Sequence, residues 1–379
     1  MREDTKVLHT GFEIDDRTGA VSYPIYQVST YRQKGPGEHS GYEYSRTGNP
    51  TREALENVIA SLEEGRTGFA FASGMAAITA VFMLFTRGDN IIVSDDVYGG
   101  TYRVLSKIFD NLGIEATYVN TSDLHQVERA IKNNTRAIYV ETPTNPLLKI
   151  TDINEVSRVA KKFNLKVIVD NTFMTPYWQK PLALGADIVI HSATKYLGGH
   201  SDVVAGLVVV KEKELAEKLH FIQNSTGGIP GPFDSWLLMR GIKTLGVRME
   251  RHEQNARELS SWLVTLPDVK KVYYPGLSGH PGHEIQKKQA GGFGGMISFE
   301  LQTPELADKL LRNVKLITLA ESLGAVESLI GLPAKMTHAS IPEGERKARG
   351  ISDSLVRLSV GIENVEDLKE DILNALTQA

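Results

Sequence analysis

Short apolar, β-branched runs recur at residues 68–72, 90–94, 116–119, 137–140, 166–169, 188–190 and 206–210 of this chain. Helical spacing fills most of the intervals, as with Val104, Leu105, Ile108, Phe109 and Leu112 on one face. Alternation of this kind predicts an α/β fold: a mostly parallel seven-stranded sheet, right-handed crossovers and helices on both faces. The last interval breaks the rule. Only the short loop YLGGHSDVVA separates the final two runs, and a parallel connection needs about a dozen residues or more. The final strand is therefore expected to run antiparallel.

Residues 1–48 contain few periodic segments and many turn formers, so they read as an extended arm lying over something else, such as a neighbouring subunit. A helix follows, with Asn49 as N-cap, Pro50 in the first position, Leu55, Val58, Ile59 and Leu62 on one stripe, and Gly65 ending it. The large domain spans 49–245. A long amphipathic helix beginning near Gly241 leads out of it, burying Ile242, Leu245, Met249, His252, Ala256, Leu259 and Leu263. On that stripe His252 reads as a core histidine. Residues 246–379 then form a smaller α+β domain, with strands at 296–301, 316–319 and 355–360 and helices near 304–313 and 366–376.

Composition narrows the function classes. A net charge of -4 gives no basic footprint for nucleic acid and no polybasic membrane patch. No apolar run approaches the roughly twenty residues that span a bilayer, and the N-terminus lacks the apolar core of a secretory signal. Zero cysteines exclude disulfides, thiolate nucleophiles and cysteine-ligated zinc. A cytoplasmic address is the plainest expectation. His280 and His283 in GHPGHE have metal-like spacing, but glycine and proline favour a loop and no third ligand follows, so no metal is expected. The run GGFGG at 291–295 precedes a strand rather than a helix, which suits a close backbone approach better than a phosphate loop.

In open α/β sheets, ligands bind beyond the carboxyl ends of the strands. There the first strand meets Ser73, Gly74 and Met75 at a helix start, which offers backbone N–H groups to an anion or simply makes a tight turn. Tyr98 follows the second strand with two glycines behind it, leaving room for its ring to lie on a planar ligand. Asp170 ends the run VIVD, where a carboxylate needs either a cation or local donors. Ser192, Thr194 and Lys195 end the sixth strand, and a lysine there can hold an aldehyde as an imine beside a bound phosphate. Each residue has a purely structural use as well. Taken together they supply an amine, a partner for a ring nitrogen, a stacking aromatic and a phosphate cup. Pyridoxal phosphate is the cofactor that needs this set.

The chain resembles the transsulfuration (Cys/Met metabolism) family of pyridoxal phosphate enzymes over essentially its full length. The resemblance is carried by YEYSRTGNPTR at 42–52, FASGMAAI at 71–78, DDVYGGTYR at 95–103, ETPTNPLLKI at 141–150 and VDNTF at 169–173. It continues through HSATKYLGGHSD at 191–202, AESLGAVESL at 320–329, MTHASIP at 336–342 and VRLSVGIE at 356–363. It implies an aspartate-aminotransferase-like fold (fold type I), with 49–245 as the cofactor domain. It implies that Lys195 holds the cofactor and moves protons, that Asp170 meets the ring nitrogen, and that Tyr98 stacks on the ring. Gly74, Met75, Ser192 and Thr194 would bind the phosphate, joined by Tyr44 and Arg46 from a neighbouring subunit of a dimer or, more usually, a homotetramer. Arg357 would grip the substrate α-carboxylate with Asn145 and Ser322, although alternation in LVRLSV alone suits a solvated face. Glu43, Arg103 and Glu321 would meet the distal end of a long amino-acid substrate.

The family holds cystathionine γ-lyases, γ-synthases and β-lyases and methionine γ-lyases. Methionine γ-lyases usually carry a cysteine where this chain has Gly100 and an apolar residue in place of Glu321. The C-terminal motifs look closest to γ-lyases, so α,γ-elimination of cystathionine is the expected activity, with hydrogen sulfide release from cysteine or homocysteine as a side activity. γ-Replacement on an O-acylated homoserine is the alternative. A β-lyase or a non-catalytic regulatory protein on the same scaffold is further off.

Overall fold

The computed structural model describes residues 1–11, 14–339 and 341–377. Ser340 of the MTHASIP motif, Phe12 and Glu13 of the arm, and the last two residues of the 246–379 segment lie outside them. A seven-stranded sheet forms the larger unit: β1 (Thr67–Phe71), β2 (Asn90–Ser94), β3 (Glu115–Val119), β4 (Thr135–Glu141), β5 (Lys166–Asp170), β6 (Ile188–Ser192) and β7 (Gly206–Val210). Their spatial order is β1-β7-β6-β5-β4-β2-β3. The pairs from β6 to β3 are all parallel, and β7 runs antiparallel to both β6 and β1, as its short loop requires. Strand residues such as Ile168, Val169, Val189 and Ile190 are fully buried on both faces. That is why these strands read as continuous apolar runs rather than alternating ones.

Four helices bear on the site: α1 (Glu3–His9), α2 (Pro50–Leu62), α3 (Gly74–Phe82) and α4 (Gly99–Val104). The Asn49 side chain accepts from the N–H groups of Thr51 and Arg52, a cap worth about 1 kcal/mol. Gly65 has a different part from the expected one. Glu64 takes the left-handed turn at φ 57, and Gly65 is small because a Cβ there would stand 2.2 Å from Val209 Cγ1. The arm is not extended at its start. Helix α1 packs Val7 into the core of the same chain, and Lys180 ties Glu3 down at 2.9 Å. Among the described residues, 14–48 hold no helix or strand beyond an isolated bridge between Thr30 and Tyr44.

The expected long helix from Gly241 is two. One ends at Ile242 and the next runs Leu245–Leu263. Arg248 fixes the break: its guanidinium donates to Gly241 O at 2.8 Å and to Tyr196 O at 2.6 Å. It thereby anchors the turn that follows Lys195. Beyond it a five-stranded sheet, ordered β10-β11-β12-β9-β8, is built from β8 (Val269–Tyr273), β9 (Met296–Leu301), β10 (Thr318–Leu319), β11 (Leu329–Gly331) and β12 (Leu355–Ser359). Strand β8 escapes sequence reading because exposed lysines break its pattern, and β11 because it is three residues long. His252 is buried and bonded to Val360 O at 2.7 Å. In the GGFGG run, a Cβ on Gly292 would stand 2.1 Å from Glu253 Oε2, which is the close approach its glycines allow.

Candidate active site

The carboxyl ends of β1, β4, β5 and β6 open into a cavity of about 360 Å³, closed on one side by the 321–323 and 337 segments and Arg357 of the smaller unit. Lys195, Asp170, Tyr98, Gly74, Met75, Ser192, Thr194, Asn145, Glu321, Ser322 and Arg357 all line it. A larger groove of about 790 Å³ runs past Lys149, Lys271, His280 and Arg349. Its Lys149 and Arg349 are already paired with Asp95 and Glu345, so it holds no comparable set of reactive groups.

Lys195 lies in the turn after β6, and its Nζ donates to Ser322 Oγ at 2.8 Å. Burial, reinforced by the positive charge of Arg357, lowers its pKa to about 8. Ser322 reaches that position at φ 100, a conformation costly for any residue with a Cβ. The same turn aims its carbonyl at Arg357 Nη2, 2.9 Å away. Arg357 on β12 is buried, not solvated, because both faces of β12 are covered. Its Nη1 donates to Asn145 Oδ1 at 3.0 Å. Two of its five N–H groups are thus spent on orientation, and the rest can form a paired fork with a carboxylate.

Asp170 ends β5 with three donors around it. Thr172 gives its N–H at 3.0 Å and its hydroxyl at 2.5 Å to Oδ1, and Tyr139 gives its hydroxyl at 3.2 Å to Oδ2. Burial still pushes the carboxyl above its usual range, against these donors and the nearby His191. Glu141 sits directly across the β4–β5 ladder from Asp170. Burial and the charge of Asp170 drive Glu141 well up. Its two oxygens accept the N–H groups of Asn145 at 2.9 Å and Tyr98 at 3.0 Å. Sequence reading missed both Tyr139 and Glu141. The signal for Glu141, an acid ending an apolar strand, is the one that flagged Asp170.

The start of α3 forms the other end of the cavity. Ser73 caps Ala76 N–H, which leaves the preceding N–H groups for an anion. A Cβ on Gly74 would stand 2.8 Å from Ser192 Oγ, so only glycine lets the cup close this tightly. Thr194 lines the cup too, but its hydroxyl is engaged with the backbone of Ala205 at 3.0 and 3.2 Å. Tyr98 stands at the start of α4 with its ring partly exposed to the cavity. Gly100 makes room for it, since a Cβ there would lie 2.4 Å from the ring. The arrangement suits a flat ligand with an anionic group at one end, a protonated ring nitrogen at the other, and an electrophilic carbon near Lys195.

The remaining expected residues do not line the cavity. Arg46 donates to Asn224 O at 2.6 Å and Oδ1 at 3.1 Å, Tyr44 is exposed, and Glu43 pairs with His39 at 3.0 Å. Arg103 is exposed on α4. His338, not singled out from sequence, bridges the two units: its imidazole meets Asn145 O at 2.9 Å and the hydroxyl of the neighbouring Thr337 at 2.9 Å. Burial lowers its pKa to about 4, so it is neutral near pH 7. Among the described residues, no helix is long and apolar enough to cross a membrane.

The profile of a family described as "Cys/Met metabolism PLP-dependent enzyme" matches residues 4–377. The chain is 64% identical to a cystathionine γ-lyase of Bacillus subtilis over 99% of both chains. It is 59% identical to a cystathionine β-lyase of Lactococcus lactis over 98% of both. The crystal structure of a cystathionine γ-lyase from Lactobacillus plantarum, complexed with L-serine, superposes with a TM-score of 0.96 at 53% identity, covering 99% of this chain and 98% of that one.

Proposed function

Since this chain belongs to the Cys/Met metabolism PLP-dependent enzymes, we propose that it is a cystathionine γ-lyase. The reaction would take cystathionine and water to cysteine, 2-oxobutanoate and ammonia. Pyridoxal phosphate is the cofactor of the family, and the cavity fits it. The cup at Gly74 would fill with a Cβ, Asp170 is a buried carboxyl that lines the cavity with an acceptor position left over, and Lys195 is an amine with its pKa already lowered. When bound, the cofactor supplies a sink for the electron pair left as the α-hydrogen departs.

The residues of the chain do the rest. The N–H groups of Gly74 and Met75, with Ser192 and Thr194, would hold the phosphate; Asp170 would hold the ring nitrogen, and Tyr98 the ring face. Arg357, set by Asn145 and Ser322, would grip the α-carboxylate and point the α-hydrogen at Lys195. A lysine with a pKa near 8 keeps a working fraction neutral at pH 7, so its Nζ could take that proton and, after handing it on and becoming neutral again, take a second one from Cβ. The Tyr98 hydroxyl would give a proton to the departing γ-sulfur. Cysteine or homocysteine entering the same site would release hydrogen sulfide.

One cavity holds Lys195, Arg357 and Glu321 together, and the choice of substrate rests on that. Arg357 suits the near carboxylate, and Glu321 at the mouth suits the distal ammonium of cystathionine, helped by Arg103 and Glu43. A bulkier residue at Gly100, as in methionine γ-lyases, would displace the Tyr98 ring. Tyr44 and Arg46 would complete the phosphate site of a second copy, making the active unit a dimer within a homotetramer. Purified enzyme given cystathionine alone should yield cysteine and 2-oxobutanoate, and should make little cystathionine from an O-acylated homoserine plus cysteine. Homocysteine with pyruvate would mean β-cleavage, and efficient synthesis would mean a γ-synthase; either outcome overturns the proposal.

A further inference from the structure

A carboxylate offers about four acceptor positions. On Asp170, Thr172 occupies two at Oδ1 and the Tyr139 hydroxyl one at Oδ2, leaving one on a group that lines the cavity. Thr172 is two residues along and could be supplied by any Asx-type turn. Tyr139 is different. It comes from the neighbouring strand, is fully buried, and lies beneath the site with its ring against Phe82 at 5.5 Å. A tyrosine is seldom buried completely unless its hydroxyl finds a partner, and here that partner is the acid expected to meet the cofactor.

We infer that Tyr139 is a positioning residue for the cofactor: its hydroxyl pins Oδ2 of Asp170, so that the remaining acceptor position is held in one orientation toward the ring nitrogen. This rests on the assignment of Asp170 to that nitrogen. The hydroxyl also favours the ionised carboxylate, because a donor stabilises the charged form over the neutral one. Without it the carboxylate is held by Thr172 at Oδ1 alone, Oδ2 can swing about a terminal torsion that is intrinsically broad, and burial draws the group toward the protonated acid. A protonated acid cannot keep a proton on the ring nitrogen, and the electron sink weakens accordingly.

Tyr139→Phe removes the hydroxyl and keeps the ring packed on Phe82. The variant, wild type and Asp170→Asn are each freed of cofactor and titrated with pyridoxal phosphate, with visible absorption spectra recorded on the loaded proteins. Tyr139→Phe should bind the cofactor roughly tenfold more weakly, about the 1.4 kcal/mol of one hydrogen bond to a charged group. Its absorption band should shift in the same direction as that of Asp170→Asn, but less. Its cofactor-free thermal midpoint should fall only by the one lost hydrogen bond, whereas Tyr139→Leu should lower that midpoint further through lost packing. Wild-type affinity and spectrum in Tyr139→Phe, with both altered in Asp170→Asn, would overturn the inference alone. An unaltered Asp170→Asn would overturn the assignment of Asp170 beneath it.

Discussion

The guanidinium of Arg357 reaches across the two units of the molecule to Asn145, with Nη1 3.0 Å from Oδ1. One partner rides on β12 of the smaller unit and the other on the loop after β4, so the proposed grip on a substrate carboxylate would depend on how the units meet. Arg357→Lys keeps the charge but loses the planar fork and the bond to Asn145. KM for cystathionine should rise about 10- to 100-fold, since bonds to charged groups are worth about 1.5–3 kcal/mol, while kcat falls less. Steady-state kinetics separates the two. An unchanged KM would remove Arg357 from carboxylate recognition.

Ser322 holds a backbone conformation that is costly for a serine, and its hydroxyl accepts from Lys195. Ser322→Ala keeps the strained turn and its carbonyl bond to Arg357 but releases Nζ. The expected result is a kcat lower by about three- to tenfold with little change in KM, in line with one lost hydrogen bond of ~1 kcal/mol. A change confined to KM would place the hydroxyl in substrate binding instead.

Lys195 costs the cofactor-free protein stability. Its pKa falls from 10.5 to about 8 in the folded chain because burial disfavours the ammonium. Between those values the unfolded chain binds more protons than the folded one, so stability rises with pH across the window. Below about pH 8 the cost is present in full, on the order of 1–3 kcal/mol. Lys195→Met should therefore stabilise the cofactor-free protein at pH 7 by that order, with the advantage narrowing toward pH 10.5. Urea unfolding at several pH values measures it. An advantage independent of pH would mean that the ammonium is not the source.

Six of the seven strands were legible because nearly all their residues are buried on both faces, which writes a continuous apolar run into the sequence; β3, at the sheet edge, is only half-buried and shows a shorter run. Lys195, Asp170 and Tyr98 were legible because they stand just past such runs. Arg357 was not legible from pattern: β12 is also covered on both faces, so alternation could not say which side was wet, and only the family resemblance put it in the site. Tyr139 was hidden inside the run AIYV, where an aromatic looks like core, and its hydroxyl matters only through a neighbouring strand. Arg46 and Tyr44 lie outside the cavity of their own chain, and their assignment to the phosphate of a second copy rests on the family resemblance alone.

Gly100 gives the sharpest test of Tyr98. A Cβ at this position would stand 2.4 Å from Tyr98 Cε1 and 2.8 Å from Met75 Sδ, both in flexible side chains that can yield. Gly100 is the second residue of α4 and its backbone is not in the left-handed region, so Gly100→Ala should leave the fold about as stable as before. The added methyl must instead push the tyrosine ring out of its place over the cavity. A shift on the order of 1 Å at a reacting group costs about 100-fold in rate. Gly100→Ala should therefore lose about 10- to 100-fold in kcat with an undiminished thermal midpoint. Wild-type turnover in this variant would mean that the position of Tyr98 is not critical to the reaction, and that the glycine serves only to start the helix.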